Sequence, residues 1–368
     1  MKWLIVAGGT GGHIIPGVAI AQELLKMQRE VSFVSGTRKI EEVILKNKPF
    51  KVYRLDVEGF IGRSLKDKIR AFIKMIRAIK EAYKLVKDLN PHIIFATGGY
   101  ISFPVVLVGK LKNKKIGLHE QNIEPGLANK ILSYLVDKIF VSIEESKRYF
   151  PEKKVVFSGN PVREDLLNLK PREHSGKGLL ILGGSLGARF INELSLKIVP
   201  LLLDEYKNLL IIHQTGLDDF ERIKEGYKNL IKEENKARLK VFPFIEDMNW
   251  VYSQVDLFLG RCGATTLAEL FAVGLPAIFI PFPYATKNHQ EKNAKILDEK
   301  GGAILIRQKE ANPDRVLKEI KSLLENEEKL KNMSQIMKSF FVKDSRKIII
   351  EEMEGLVKKC LIKRKSIL

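Results

Sequence analysis

A short apolar run, Trp3-Leu4-Ile5-Val6-Ala7, passes straight into Gly8-Gly9-Thr10-Gly11-Gly12-His13, and apolar residues then recur at helical spacing from Ile14 to Leu25. The run has the length and character of a buried parallel strand. Pro16 is expected in the first helical turn, where a missing N–H breaks no bond. Strand, glycine turn and helix together make an anion site: peptide N–H groups point outward, glycines admit a close ligand, and the helix dipole favours negative charge. It is not a Walker A loop, because no lysine follows the glycines. Nor is it a dinucleotide fingerprint: counted from Gly9, the last glycine position is Ile14, and Val31–Gly36 supplies no acidic residue. A purely structural turn is the alternative reading. His13 weighs toward chemistry, since an imidazole beside an anion hole is what proton transfer needs.

The device recurs. Ile93–Ala96 leads into Thr97-Gly98-Gly99-Tyr100, with a helix expected after Pro104. Leu179–Leu182 leads into Gly183-Gly184-Ser185-Leu186-Gly187-Ala188-Arg189 and another helix. Ile116–Leu118, Val155–Phe157, Leu210–Ile212, Leu239–Phe242, Leu257–Leu259 and Ala277–Ile280 complete a series of strands alternating with helical segments. With 368 residues the chain can bury two cores. The reading is α/β: two similar doubly wound lobes facing a cleft. The first domain is set at 1–162 and the second at 163–340, with a C-terminal helix in 341–368 packing back on the first.

Polar residues gather where strands should end, which is where ligands bind in open parallel sheets. His119-Glu120-Gln121-Asn122 is one such cluster, with Lys110, Lys112, Lys114 and Lys115 beside it. Gly260–Glu269 turns through Gly263 into a helix whose Glu269 can accept from two vicinal hydroxyls, as on a ribose; the plainer role is to complement the helix dipole. Pro281–Gln290 is a proline-bounded loop with more polar groups than a connection needs.

Charge narrows the partners. Lys and Arg number 63 against 44 Asp and Glu, a formal +19, which suits an anionic partner. From Leu65 to Val86 a basic amphipathic helix is expected, its apolar arc made of Leu65, Ile69, Phe72, Ile73, Ile76, Ile79, Tyr83 and Val86. Most of that arc is expected in the core, while its edges and the lead-in Gly59–Arg63 touch an anionic membrane surface. Apolar runs such as Leu275–Phe282 are too short to span a bilayer, and the N-terminus has no secretory leader pattern. Cys262 and Cys360 read as reduced thiols in a cytoplasmic setting. Nucleic acid is not an expected partner, since no recognition motif accompanies the charge. The basic stretch after Gly355 reads as a frayed end.

Taken together, Gly8–Gly17, Thr97–Tyr100, His119–Asn122, Gly159–Arg163, Gly183–Arg189, Phe244-Ile245, Arg261–Glu269 and Pro281–Gln290 closely resemble the MurG glycosyltransferases, in the family's order and over essentially the whole chain. The resemblance implies the GT-B architecture of two Rossmann-like domains with a deep cleft. It implies transfer of N-acetylglucosamine from UDP-N-acetylglucosamine to undecaprenyl-diphosphate-linked muramyl-pentapeptide (lipid I), giving lipid II at the cytoplasmic face of the membrane. It also implies that Ser185 and Arg163 bind the donor diphosphate, the Ile245 main chain reads uracil, and Glu269 takes the ribose. Ala264, Thr265, Thr266, Leu267 and Ala268 then place a helix N-terminus behind the phosphates. Gln290, Thr10, Gly11, Gly12 and Asn122 reach the sugar, and His289 stands where some members have a second glutamine. Gly8, Gly9, Gly98, Gly99 and Tyr100 form the acceptor side, with His13 as the base and Glu120 as its competitor or as the residue that orients the acceptor. No cofactor is expected: there is no Asp-x-Asp motif, and helix dipoles with Arg163 suit an anionic leaving group. The rival readings are a glycolipid transferase acting on diacylglycerol, an epimerase of UDP-N-acetylglucosamine, and a sugar-nucleotide-binding protein without turnover.

Overall fold

The computed structural model describes residues 1–59, 64–285 and 288–365. The chain forms two compact units, Met1–Arg163 with Val342–Leu368, and Glu164–Phe341. The lead-in residues Phe60, Ile61, Gly62 and Arg63, Thr286 and Lys287 of the proline-bounded loop, and the last three residues of the basic tail lie outside the described residues.

In the first unit the order is β1 (Lys2–Val6), α1 (Gly11–Lys26), β2 (Glu30–Ser35), α2 (Lys39–Leu45), β3 (Lys51–Arg54), α3 (Leu65–Leu89), β4 (Ile93–Ala96), α4 (Ser102–Leu111), β5 (Lys115–Glu120), α5 (Leu127–Leu132), β6 (Lys138–Val141) and β7 (Val155–Phe157). The strands make one sheet in the order β3-β2-β1-β4-β5-β6-β7. Every pairing is parallel; β1 is in register with β2 through Ile5 opposite Phe33, and with β4 through Ile5 opposite Phe95. Buried on both faces, β1 and β4 are near-continuously apolar, as helices covering a sheet require.

The second unit runs β8 (Gly178–Leu182), α6 (Arg189–Glu205), β9 (Leu210–Gln214), α7 (Phe220–Leu230), β10 (Leu239–Phe242), α8 (Met248–Gln254), β11 (Leu257–Gly260), α9 (Ala264–Val273), β12 (Ala277–Phe279), α10 (His289–Glu299), β13 (Ala303–Leu305), α11 (Pro313–Leu324) and α12 (Glu327–Ser339). Its parallel sheet has the order β10-β9-β8-β11-β12-β13. The last helix, α13 (Ser345–Lys365), belongs to the first unit, where Ile349, Ile350, Met353 and Val357 join the core around Trp3, Ile5, Phe95 and Phe140. Both sheets reverse their winding at the middle, between β1 and β4 and between β8 and β11. At such a switch point the loops after the two central strands diverge and leave a crevice for a ligand.

Two local expectations need correction. The helix after the first glycine turn starts at Gly11, so Pro16 sits inside α1 rather than in its first turn, and His13 is itself helical. Likewise α4 starts at Ser102 and takes Pro104 into its first turn instead of starting after it. Proline is tolerated at α4's start because the first N–H groups of a helix have no partner within it.

Correction is larger on α3. Its buried face is Ala71, Met75, Ala78, Ala82 and Val86, whereas Ile69, Phe72, Ile73, Ile76 and Tyr83 are exposed, Phe72 by 58%. Small side chains let α3 lie close against α4, and the larger apolar residues one-quarter turn away are left to solvent. Ser64 caps the helix by accepting from the Asp67 N–H, and Asn90 ends it in the left-handed conformation.

Candidate functional site

In the first unit the switch point is lined by the turns after β1 and β4. Gly9, Gly98 and Gly99 take φ of +99°, +96° and +79°, a region that side chains other than glycine's rarely adopt. A Cβ on Gly98 would fall 2.5 Å from Asn129 Oδ1, so packing as well as conformation calls for glycine there. Thr10 is the exposed N-cap of α1 with no side-chain capping bond, and Gly11, Gly12 and His13 form the first helical turn. Tyr100, half-buried, follows the β4 turn and lies against Gly59.

His13 Nδ1 sits 2.8 Å from the Thr97 carbonyl oxygen. A carbonyl only accepts, so Nδ1 carries the proton and neutral His13 has its lone pair on Nε2. The Thr97 carbonyl also accepts from Gln121 Nε2 at 2.8 Å, and that amide approaches His119 Nδ1 at 3.1 Å. His119 in turn donates from Nε2 to the Gly159 carbonyl at 3.1 Å. Burial lowers its pKa to about 4, so His119 is a neutral core histidine that props the chain behind His13.

Glu120 is also enclosed. One carboxylate oxygen accepts from the Asn122 main-chain N–H at 2.9 Å and from the Asn122 side chain at 3.3 Å; the other accepts from Asn129 Nδ2 at 2.8 Å. Burial raises its pKa, opposed by those bonds. Its geometry is that of a residue folding the 120–129 loop, with Asn122 and Asn129 as partners.

A residue that sequence reasoning missed lies beneath the first turn. Glu41 of α2, 1% exposed, accepts the Gly9 N–H on one oxygen and the Arg38 N–H on the other, while Arg38 Nη1 donates to the Gly9 carbonyl at 3.0 Å. The Gly9 N–H expected for an anionic ligand is therefore bound to a carboxylate of the protein. Gly36 stands at the end of β2 where a dinucleotide site would carry its acidic residue, and a Cβ there would meet Glu41 at 2.5 Å. The missing side chain was the signal.

In the second unit the corresponding turns follow β8 and β11. Gly184 and Gly187 have φ of +91° and +78°, and the half-buried Ser185 lies between them before α6 begins. After β11, Gly263 is the N-cap of α9, whose first residues are Ala264, Thr265, Thr266, Leu267 and Ala268. Glu269, 4% exposed, follows on the same helix and accepts from the Tyr252 hydroxyl at 2.9 Å. Tyr252 is a partner from α8 that nothing near Glu269 in sequence announces. Ile245 lies past β10, and its N–H donates to Gln214 Oε1 at 2.8 Å. The N–H half of the expected main-chain uracil reader is thus bonded within the protein. Gln290, in the first turn of α10, accepts on Oε1 from the Phe282 N–H at 3.0 Å, closing the loop after β12. The same loop is clamped by the buried Arg261, which donates to the Ile280 and Pro281 carbonyls at 2.7 and 2.8 Å and to Gln308 at 2.7 Å. Burial lowers the Arg261 pKa to about 10. Arg163 stands apart from both switch points in sequence order, half-buried at the end of the first unit beyond the edge strand β7.

Among the described residues no group of three or more His, Cys, Asp or Glu is arranged to hold a metal ion, and no helix is long and apolar enough to cross a membrane. Cys262 is buried, and both it and Cys360 are free thiols.

Residues 3–141 match the glycosyltransferase family 28 N-terminal domain and residues 178–349 its C-terminal domain. The chain is 35% identical over 361 residues to the UDP-N-acetylglucosamine–N-acetylmuramyl-(pentapeptide) pyrophosphoryl-undecaprenol N-acetylglucosamine transferase of Geotalea uraniireducens, covering 96% of this chain and 98% of that one. Among solved structures it is similar to MurG of Acinetobacter baumannii, with TM-score 0.72, 28% identity, and coverage of 96% and 99% of the two chains. A UDP-N-acetylglucosamine 2-epimerase of Neisseria meningitidis shares the fold alone, at 16% identity and TM-score 0.69, with coverage of 96% and 100%.

Proposed function

The chain belongs to the MurG glycosyltransferases of family 28, with their GT-B fold, and from that premise we infer its reaction. It is a glycosyltransferase that moves N-acetylglucosamine from UDP-N-acetylglucosamine to N-acetylmuramyl-(pentapeptide) pyrophosphoryl-undecaprenol, the lipid I of peptidoglycan synthesis, giving lipid II. The observation that carries this is near-full-length identity of 35% to a transferase named for that reaction. The epimerase reading rests on fold alone and falls away.

The donor is assigned to the second unit. Its diphosphate lies at the Gly183–Gly187 turn with Ser185 and the start of α9, where helix dipoles and peptide N–H groups stabilise an anion; Arg163 adds its charge. Glu269, steadied by Tyr252, accepts from the ribose hydroxyls. With the Ile245 N–H on Gln214, the Ile245 carbonyl accepts the uracil N3–H. Gln290 bonds the sugar; Thr10, Gly11, Gly12 and Asn122, which the family resemblance also assigns to it, belong to the first unit. No metal or other cofactor takes part in this scheme.

The acceptor is assigned to the first unit. Its diphosphate lies at Gly98, Gly99 and Tyr100 and the opening of α1, rather than on Gly9, whose N–H serves Glu41. His13 Nε2 takes the proton from the muramyl C4 hydroxyl as that oxygen attacks the anomeric carbon. The bond from that carbon to the UDP oxygen breaks, UDP leaves with the electron pair, and configuration inverts. What supports His13 over Glu120 is the tautomer: its lone pair is set on Nε2, while both Glu120 oxygens are engaged in the loop. The exposed apolar face of α3, bordered by Lys68, Arg77 and Lys80, supports docking on an anionic membrane surface from the cytoplasmic side.

The test is UDP release from UDP-N-acetylglucosamine with and without a soluble lipid I analogue. Release that depends on the acceptor, with a disaccharide product, is expected. Release independent of acceptor, or transfer to diacylglycerol instead, defeats the assignment.

A further inference from the structure

We propose that Gln214 is a positioning residue for the donor, its side-chain amide fixing the spacing between the turn that takes the diphosphate and the segment that takes the uracil. The proposal rests on the donor assignment above and adds to it a residue outside every motif singled out in the sequence.

Gln214 is the last residue of β9 and is 3% exposed. Its Nε2 donates to the Gly184 carbonyl at 3.0 Å, and its Oε1 accepts from the Ile245 N–H at 2.8 Å. These two main-chain groups lie 30 residues before and 31 residues after it, in separate loops. One planar amide therefore joins them at a fixed separation. Below it the contact is backbone on backbone. A Cβ on Gly187 would fall 2.0 Å from the Thr215 carbonyl oxygen, and one on Gly216 would fall 2.3 Å from that of Leu186. The diphosphate turn cannot move toward β9, and the Gln214 amide keeps it from moving away. The end of β10 is tied to the same platform, since the Phe242 carbonyl accepts from the Thr215 N–H at 3.0 Å and from its hydroxyl at 3.3 Å.

The ligand sets the requirement. A nucleoside diphosphate holds its base and phosphates a bounded distance apart, and a site about 1 Å loose loses much of its binding. An amide of this length donates at one end and accepts at the other without needing to bind a proton, as a carboxyl would. An ionised glutamate here would set a negative charge against the Gly184 carbonyl and beside the donor's phosphates. A protonated glutamate would restore both bonds, because its O–H donates and its carbonyl accepts.

That equivalence gives the test. Q214M keeps the length and the burial but makes neither bond, and Q214E makes both only when protonated. Steady-state kinetics with UDP-N-acetylglucosamine and a lipid I analogue are measured from about pH 8 to about pH 6, each variant expressed relative to unsubstituted protein at the same pH. Q214M should raise the donor KM about tenfold at every pH, with kcat and the acceptor KM within about twofold. Q214E should raise the donor KM by about 30-fold at the alkaline end and return toward the unsubstituted value as the pH falls. That return also shows that the variant folds. The proposal is overturned if Q214M leaves the donor KM within about twofold, if kcat and both KM values worsen together, or if the Q214E penalty is flat with pH. Should the unsubstituted protein itself show no acceptor-dependent UDP release, the donor assignment fails and this inference with it, an outcome separate from any behaviour of the variants.

Discussion

The imidazole of His13 is held by a carbonyl that can only accept, and this single bond sets which nitrogen can act. Replacing His13 with alanine should lower kcat by about 10²- to 10⁴-fold with the donor KM little changed. Near-normal turnover in a folded H13A protein would remove His13 from the chemistry. E120Q, by contrast, should keep kcat within about tenfold and lower thermal stability, because it disturbs a carboxylate that orders the 120–129 loop. His13 was legible in the sequence because it follows the glycine turn directly in the chain, although Thr97, which holds its ring, lies 84 residues further on. Glu41, Tyr252 and Gln214 were not, since each meets its partner across 17 to 32 residues through a contact that no local pattern encodes. The buried histidines carry a further consequence. Burial holds His119 at about 4 and His213 at about 3, against about 6.5 in an unfolded chain. As pH falls below about 6.5, the unfolded chain binds protons at these sites that the folded chain does not. The stability contributed by these two histidines is therefore greatest above that value and is lost on acidification, His119 alone accounting for on the order of 3 kcal/mol by about pH 4. Urea unfolding at about pH 7 and about pH 4.5 measures this, and the decline should shrink in H119Q; an unchanged pH dependence in that variant would contradict the assignment.

At the next scale, α3 shows how an element can be found correctly and faced wrongly. Its length and caps follow from Ser64, the apolar period and Asn90. Its buried face does not, because hydropathy ranks Ile, Phe and Tyr above Ala, while close packing of two helices selects the small side chain. The exposed Ile69, Phe72, Ile73, Ile76 and Tyr83 are thereby left as a ridge among lysines and arginines. Lys112 at the end of α4 donates to the Tyr83 hydroxyl at 2.9 Å, which adds a further basic residue to the ridge. Each basic residue near an anionic surface is worth about 1 kcal/mol, so K68A, R77A and K80A together should weaken binding to anionic vesicles by on the order of 100-fold. F72S with I76S should weaken binding to anionic and neutral vesicles alike, through lost apolar burial. Transfer to a water-soluble acceptor should be unaffected in both sets. Vesicle binding that survives both would leave the ridge without its proposed partner.

For the whole molecule, the alternation of strand, glycine turn and helix was readable because each junction is local, and alternation of that kind builds the parallel sheets seen in both units. The last helix, expected over 341–368 against the first domain, follows a path that no local junction encodes. The chain leaves the first unit at Arg163 and re-enters it at Val342, and the two passages touch: a Cβ on Gly159 would fall 2.5 Å from Val342 Cβ. From there α13 supplies Ile349, Ile350, Met353 and Val357 to the core under β1, β4 and β5, with Met353 against Gly117. Arg29–Glu354 at 2.8 Å and Arg346–Glu23 at 3.0 Å fix its orientation. Burial of those apolar side chains is worth at most about 1.5–3 kcal/mol each, a sum comparable to the whole stability of a domain, about 5–15 kcal/mol. A chain ended at residue 341 should therefore lose the folded first unit while the second keeps its own unfolding transition. Hydrogen exchange separates the two outcomes: protection should vanish from β1, β4 and β5 and persist in β8, β9 and β11. Adding residues 342–368 as a separate peptide should restore the lost protection, since the contacts require α13 but not its covalent attachment. Undiminished protection in the truncated chain would mean that the first sheet holds its core without α13, and that the return of the chain serves something other than stability.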